Sequence, residues 1–244
     1  MKTIVIIPSR LSATRLPGKP LLKINGLSII SHVFKKAEEA NIGEVIVATE
    51  DKEIMEVVKK NGGQAILTEN NHKTGTDRIF EALQKINVSN IELIMNLQGD
   101  EPLIDINDIR YLKSQMIKFR SKLGTLASKI SNKELYENQN IVKVITKEDL
   151  NNLNFPEAKN FMRKVSNKTQ NIYHHLGIYC YQNEILKKII SLNQSSNEIK
   201  NNLEQLRALD NNININVALA KSHAIGVDTE EDFMAIKKIM EYKS

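Results

Sequence analysis

Three cations fall within one short stretch of this chain: Arg10, Arg15 and Lys19, in the run Pro8-Ser9-Arg10-Leu11-Ser12-Ala13-Thr14-Arg15-Leu16-Pro17-Gly18-Lys19-Pro20. The small residues and glycine among them let backbone N–H groups close around an anion. A guanidinium engages phosphate oxygens through paired hydrogen bonds, and an ammonium acts as a point charge. On charge alone the stretch also reads as a solvated basic loop. Its placement favours the anion grip, because it joins the apolar run Ile4-Val5-Ile6-Ile7 to a helical pattern, and helix starts favour negative charge. The spacing is neither Gly-x-x-x-x-Gly-Lys-Ser/Thr nor Gly-x-Gly-x-x-Gly, which excludes the common P-loop and dinucleotide fingerprints.

Two acidic segments invite a metal reading. Leu97-Gln98-Gly99-Asp100-Glu101-Pro102 follows the apolar run Ile91–Asn96, so Asp100 is presented at a strand end. A carboxylate there suits Mg²⁺, which keeps waters and phosphate oxygens as its other ligands; capping of the next turn is the alternative. In Gly226-Val227-Asp228-Thr229-Glu230-Glu231-Asp232, Asp228 with Glu231 three positions on fits a capping box, and spacing alone prefers that to metal binding. Thr74-Gly75-Thr76-Asp77-Arg78 opens a helix with hydroxyls and a glycine, suited to base or ribose contacts and equally to capping. His174-His175-Leu176-Gly177 enters a strand, where neighbours point to opposite faces, so zinc binding by the pair is not expected. Leu203-Glu204-Gln205-Leu206-Arg207 falls on a helical pattern whose default is a solvated face.

The elements that must position these residues alternate. Strands are expected at Ile4–Ile7, Val45–Ala48, Ala65–Leu67 and Ile91–Leu97, with helices at 28–40, 51–61, 76–86 and 106–119 between and after them. Such alternation implies a largely parallel sheet covered on both faces, whose ligands lie beyond the carboxyl ends of the strands. The second half reads less regularly. Strands are expected at 124–130, 141–146, 176–181 and 213–219, helices at 198–209 and 229–242, and 151–170 as an inserted polar loop or an excursion from the main sheet. The expected architecture is one α/β domain over 1–244, with a mostly parallel, mixed central sheet flanked by helices and a subsidiary lobe from about 125 to 195.

Composition narrows the function classes. With 41% hydrophobic and 26% charged residues over 244 positions, the chain has the means for a sizeable core. A net charge of +5 permits an anionic partner, but lysines scattered on helical patterns and only 5% aromatics argue against nucleic acid. One cysteine, Cys180, excludes a disulfide framework and a thiolate metal cluster. No window approaches the roughly 20 apolar residues of a membrane helix, and the N-terminal apolar run is too short for a signal core, so a cytoplasmic location is expected.

Eight segments, taken in order, carry a resemblance: Ile7–Arg10 with Ala13–Pro20, Val47–Thr49, Gly75–Arg78, Asn96–Pro102, Val142–Val144, His175–Tyr179, Leu203–Arg207 and Gly226–Thr229. Nearly end to end, the chain resembles the 3-deoxy-manno-octulosonate cytidylyltransferase family, the CMP-Kdo synthetases. The resemblance implies a nucleotidyltransferase fold and the reaction CTP + Kdo → CMP-Kdo + pyrophosphate, supplying lipopolysaccharide precursor. It implies that Arg10, Arg15 and Lys19 hold the triphosphate and that Thr74, Gly75 and Arg78 fix the cytidine. Asp100 and Asp228 would coordinate Mg²⁺, against the capping preference for Asp228, with Lys19, Asp100 and Asp228 catalytic. Gln98, Arg163, His175, Glu204 and Gln205 would hold the sugar acid, and the lobe after about residue 125 would form a homodimer. The chain departs from the family in Met162-Arg163-Lys164-Val165-Ser166, which lacks the usual serine and proline, and at His174, where Arg or Lys is usual. Both changes bear on the sugar, leaving an amino-substituted Kdo, a sialic-type acid or a non-catalytic nucleotide-binding relative as alternatives.

Overall fold

The computed structural model describes residues 1–12, 15–86, 88–130, 133–165, 169–222 and 226–242; Ala13 and Thr14 of the first loop, and Ser166, lie outside the described residues. In chain order the elements are β1 (Thr3–Ser9), β2 (Lys23–Ile24), β3 (Leu27–Ser28), α1 (Ile29–Ala40), β4 (Glu44–Thr49), α2 (Lys52–Lys60), β5 (Gln64–Leu67), α3 (Gly75–Lys85), β6 (Leu93–Asn96) and α4 (Ile106–Lys118). They continue with β7 (Leu123–Lys129), β8 (Lys143–Thr146), β9 (Ala158–Met162), β10 (Ile172–Gln182), α5 (Asn183–Ser191), α6 (Ser196–Asn201), α7 (Leu206–Asp210), β11 (Asn216–Leu219) and α8 (Glu230–Tyr242). Two compact units emerge: Met1–Arg110 with Ala224–Ser244, and Tyr111–His223.

In the first unit β6, β1, β4 and β5 pair in parallel, in that order. Ile4 to Ile7 are buried, as their unbroken apolar run requires of a strand covered on both faces. β1 continues past Pro8 to Ser9, farther than its apolar run. Its register with β6 stops at Ile6, whereas its register with β4 reaches Ser9. Pro8 therefore falls where the ladder has a neighbour on one side only, which proline tolerates. α1 buries Ile29, Ile30, Val33, Phe34, Ala37 and Ala40, a single helical stripe, and is capped by Ser28 Oγ accepting from the Ser31 amide at 3.3 Å. A hairpin of β2 and β3, absent from the sequence expectations, turns at Asn25-Gly26 with φ of 48° and 79°. Asn-Gly is the usual pair for a turn with two positive φ angles, so the signal was present. Ile24 of this hairpin joins Ile29, Val227 and Ile236 in a small apolar cluster, with Leu16, Leu22 and Phe233 packed against it.

In the second unit β7 is central, parallel to β11 and antiparallel to β10; β10 also pairs β8, and β8 pairs β9. The two units thus realise the expected fold class, α/β with strands mostly parallel yet mixed and accompanied by helices. Two local expectations are corrected. The stretch 151–170 is not only a loop, since it contains β9, whose Ala158 and Phe161 are buried. The single helix expected over 198–209 is two, α6 and α7, broken at Asn202 with φ 55°. The break folds Arg207 back onto Glu198, where Nε donates to Oε2 at 2.8 Å and Nη2 to Oε1 at 2.6 Å. Leu203, Leu206 and Arg207 are consequently buried, Arg207 at 2% exposure, which overturns the solvated-face expectation for that segment.

Candidate active site

The loops following β1 and β6, the entry to α3 and the segment before α8 line one cleft of about 320 Å³ within the first unit. That volume lies at the small end of the roughly 300–1,000 Å³ of ligand sites. Arg10, Arg15 and Lys19 face it together with Thr74, Gly75, Arg78, Gln98, Asp100 and Asp228. Nine residues expected from sequence at a nucleotide, metal or sugar are therefore neighbours here. His72, Lys73 and Ser9 also line the cleft and were not anticipated.

Local interactions explain this convergence. The Leu11 amide donates to Asp51 Oδ2 at 2.7 Å, and the Gly18 amide to the Leu11 carbonyl at 3.0 Å, closing the first loop on itself. Gly18 has φ 73°, a left-handed conformation that suits glycine, and it leads into a 3-10 turn at Lys19–Leu21 with Pro20 buried. Leu16 and Val227 share the apolar cluster described above, which brings Arg15 and Asp228 side by side at 2.9 Å. The Val227 amide donates to the Asp100 carbonyl at 2.9 Å, fixing the late segment beside the loop after β6. A side chain at Gly99 would place Cβ 2.9 Å from the Pro8 carbonyl, so only glycine lets the two loops approach this closely.

At the centre, Lys19 Nζ contacts Asp100 Oδ2, lies 3.3 Å from Asp228 Oδ1 and donates to the Val227 carbonyl at 2.9 Å. Burial works against its charge, but Asp100, by charge and hydrogen bond, and then Asp228 hold its pKa above the ordinary value. Among the described residues neither aspartate caps a helix. The Asn107 amide in the first turn of α4 uses Asp105 Oδ1 at 2.7 Å, and at the start of α8 Thr229 Oγ1 accepts from the Asp232 amide at 3.2 Å. The box before α8 is therefore Thr229 with Asp232, not Asp228 with Glu231, and both Asp100 and Asp228 are left to face cations. Three oxygens already converge on an ammonium at this spot, and two of them are carboxylate. This donor set fits Mg²⁺, which takes one or two carboxylates and completes its shell with water and phosphate.

Glu101, the next residue, was not singled out from sequence. Burial, reinforced by the Asp100 and Asp228 charges, pushes its carboxyl up to about 8, and its Oε2 has no hydrogen-bond partner among the described residues. It is buried beside the cleft and is not part of its lining.

The entry to α3 bears out the capping reading of its sequence. Thr74 Oγ1 accepts from the Asp77 amide at 3.2 Å, and the Thr74 amide donates to Asp77 Oδ2 at 3.0 Å, a capping box. The helix start so built also lines the cleft. Arg78 is buried, paired with Glu50 and donating to Thr68 Oγ1 at 2.6 Å. Its charge is thus committed to Glu50, and it braces the cleft wall that it helps to line.

Arg163, His175, Glu204 and Gln205 belong to the second unit, outside the lining of this cleft. The Arg163 guanidinium donates to three carbonyls, Gln139 at 3.0 Å, Asn202 at 3.1 Å and Asn201 at 3.2 Å, clamping the end of α6. Glu204 and Gln205 are half-buried just before α7. His175 is buried between Phe161 and Tyr179, with ring centroids at 4.9 and 5.4 Å. The Thr125 hydroxyl is closest to the Ile178 carbonyl, at 2.7 Å, and donates there; it then accepts from His175 Nε2 at 3.0 Å. That fixes the tautomer with its proton on Nε2.

Burial, with a smaller contribution from His174, pushes the His175 imidazole down to about 3. The unfolded chain, with an ordinary histidine near 6.5, therefore binds the extra proton between those values. This contribution to stability is complete above pH 6.5 and is lost as pH falls. At about 1.4 kcal/mol per unit, His175 is expected to make the protein about 2 kcal/mol less stable at pH 5 than at pH 7. Urea unfolding at both values checks this. His175→Gln, which keeps a donor for Thr125, should remove that part of the pH dependence, and an unchanged slope would refute the assignment.

Comparison with known proteins places the chain in a family. Residues 4–215 match the cytidylyltransferase family model. A 3-deoxy-manno-octulosonate cytidylyltransferase of Afipia carboxidovorans is 39% identical over 98% of this chain and 96% of its own. One from Thermodesulfovibrio yellowstonii is 40% identical over 98% of both. A solved CMP:2-keto-3-deoxy-manno-octonic acid synthetase complexed with CTP superposes with a TM-score of 0.89 at 34% identity, over 100% of both chains. A UDP-glucose pyrophosphorylase complexed with UDP-glucose, at 16% identity and a TM-score of 0.75, shares the fold alone. With both the family model and full-length relatives in agreement, the chain belongs to the 3-deoxy-manno-octulosonate cytidylyltransferase family of cytidylyltransferases.

Proposed function

We propose that this chain transfers the cytidylyl group of CTP to the anomeric hydroxyl of 3-deoxy-D-manno-octulosonate, releasing pyrophosphate and giving CMP-Kdo for lipopolysaccharide synthesis. The observation that carries the reading is the cleft, where Arg10, Arg15 and Lys19 stand opposite Asp100 and Asp228. Full-length relatives of that name and the solved synthetase with CTP support it.

The reaction brings two polyanions together, so its barrier is largely one of charge and alignment. Arg10 and Arg15 pair with phosphate oxygens and oppose charge building on the departing pyrophosphate. Lys19 adds a mobile point charge from the same side. The amide-rich start of α3 and the Thr74–Gly75 turn bound the nucleoside, and Gln98 offers an amide to the sugar acid. Arg163, His175, Glu204 and Gln205 are proposed to belong to the sugar-acid side. Asp100 and Asp228 would hold Mg²⁺, which when bound neutralises the α-phosphate and lowers the pKa of the attacking hydroxyl. The protein contributes no nucleophile, and no covalent intermediate is expected.

A cytoplasmic homodimer, built through the second unit, completes the proposal. Among the described residues no helix is long and apolar enough to cross a membrane. Incubation with CTP, Mg²⁺ and a panel of Kdo, 8-amino-Kdo and a sialic acid, with pyrophosphate as readout, tests the reading. Kdo is expected to give the highest kcat/KM. Faster release with another acid would reassign the sugar, and CTP binding without release from any acid would make the chain a non-catalytic relative. Light scattering showing a stable monomer at micromolar concentration would refute the dimer.

A further inference from the structure

Lys19 does more in this cleft than a phosphate-binding lysine needs to do. An ammonium has three N–H donors, and Asp100 Oδ2, the Val227 carbonyl and Asp228 Oδ1 supply three acceptors. Asp228 is held from its other oxygen by Arg15. Two carboxylates thus meet two side-chain cations, and their charges sum to zero. The oxygens on which a divalent cation would bind are the ones Lys19 already neutralises.

We propose that Lys19 is the resident counter-ion of the Asp100–Asp228 pair and leaves it only when a divalent cation and the nucleotide's phosphates arrive together. The inference rests on the CTP reading given above and deepens it, because it makes the metal–nucleotide complex, not either component, the ligand of this cleft. Electrostatics gives the reason. A dication arriving alone must displace an ammonium and an arginine from the carboxylates, with nothing to receive the displaced charges. A triphosphate arriving alone attracts Lys19 and Arg15 but leaves Asp100 and Asp228 facing one another and the phosphates without a cation. When both arrive, the metal takes over the carboxylates and the phosphates take over the lysine.

The backbone permits this exchange without rearrangement. Lys19 is anchored by its amide to the Leu16 carbonyl at 3.3 Å, and its neighbour Pro20 is buried. The change is therefore confined to the four-carbon stem, whose rotamers carry the ammonium across several ångströms while the loop stays in place. Lys19 on this account is a positioning residue before the reaction and a phosphate ligand during it.

Mn²⁺ binding followed by electron paramagnetic resonance of the free ion tests the proposal without turnover. In wild-type protein without nucleotide, Mn²⁺ is expected to bind at least 10-fold more weakly than in Lys19→Met, where the carboxylates have lost their counter-ion. Lys19→Gln, which keeps a neutral polar group of similar length, should behave as Lys19→Met does; circular dichroism establishes that both are folded. Saturating CTP should raise wild-type Mn²⁺ uptake at least 10-fold. Nucleotide-free Mn²⁺ affinity within twofold of wild type in both variants, with CTP still promoting uptake in wild type, overturns the counter-ion role and leaves the CTP reading standing. Absence of any CTP effect on wild type overturns the CTP reading itself.

Discussion

Asp100→Asn is expected to lower CTP-dependent pyrophosphate release by about 10³-fold or more, about 4 kcal/mol of transition-state stabilisation. The substitution keeps the shape of the side chain and one oxygen but removes the negative charge, which is the property a hard divalent cation selects. Among the described residues the carboxylate is one of two that line the cleft, and Asp228 is shared with Arg15, so neither replaces the other. The loss should fall mainly on kcat, because charge neutralisation matters most as the pyrophosphate departs. Folding should be little affected. Asparagine keeps a side-chain oxygen for Lys19 Nζ, whose other acceptors, the Val227 carbonyl and Asp228 Oδ1, remain in place. Steady-state kinetics at saturating Mg²⁺, with thermal melting alongside, checks both halves. Activity within tenfold of wild type would remove Asp100 from the metal site.

Asp100 also marks what the sequence could disclose. The loop after β1 and the loop after β6 were legible because each follows an unbroken apolar run, and parallel strands send their following loops to one edge. Arg10, Arg15, Lys19 and Asp100 came from that rule with no knowledge of pairing. Asp228 could not. It reaches Lys19 from 209 positions away, through the Leu16–Val227 cluster, and locally its acidic surroundings imitate a helix cap. Only the family resemblance pointed to a place for it beside Asp100. Glu101 was equally hidden, since nothing in Gly-Asp-Glu-Pro distinguishes the carboxylate that faces the cleft from the one buried behind it. β9 escaped because five residues with two buried positions carry too weak an alternation to stand out from a polar stretch. The residues assigned to the sugar acid stand apart. Their motif matches could be read from sequence, yet His175 and Arg163 are each engaged by groups of their own unit, which periodicity cannot foresee.

The same limit produced the misreading of Arg207, and correcting it gives the largest stability effect expected in the chain. A helical wheel drawn through 198–209 assumes one axis, whereas the left-handed turn at Asn202 starts a second axis and points Arg207 inward. Its guanidinium meets both oxygens of Glu198, with side-chain exposures of 3% and 4%. Glu198 is engaged further by the Ser195 amide at 3.2 Å and Gln194 Nε2 at 3.2 Å. Burial would raise the Glu198 pKa, but hydrogen bonds, led by those from Arg207, hold it below the ordinary value, so the pair is ionised. Glu198→Ala leaves a guanidinium buried without its carboxylate and removes the capping box of α6. Removing one partner of a buried pair destabilises by about 3–5 kcal/mol. For a chain of this length that corresponds to a fall in melting temperature of roughly 6–20 °C. Replacing both partners, as Glu198→Leu with Arg207→Met, should recover much of the loss, because the dominant penalty is the uncompensated charge and not the absent attraction. Thermal and urea unfolding of the three proteins measures the coupling. A loss below 1 kcal/mol for Glu198→Ala would show Arg207 to be solvated after all, returning the segment to the exposed face that its sequence suggested.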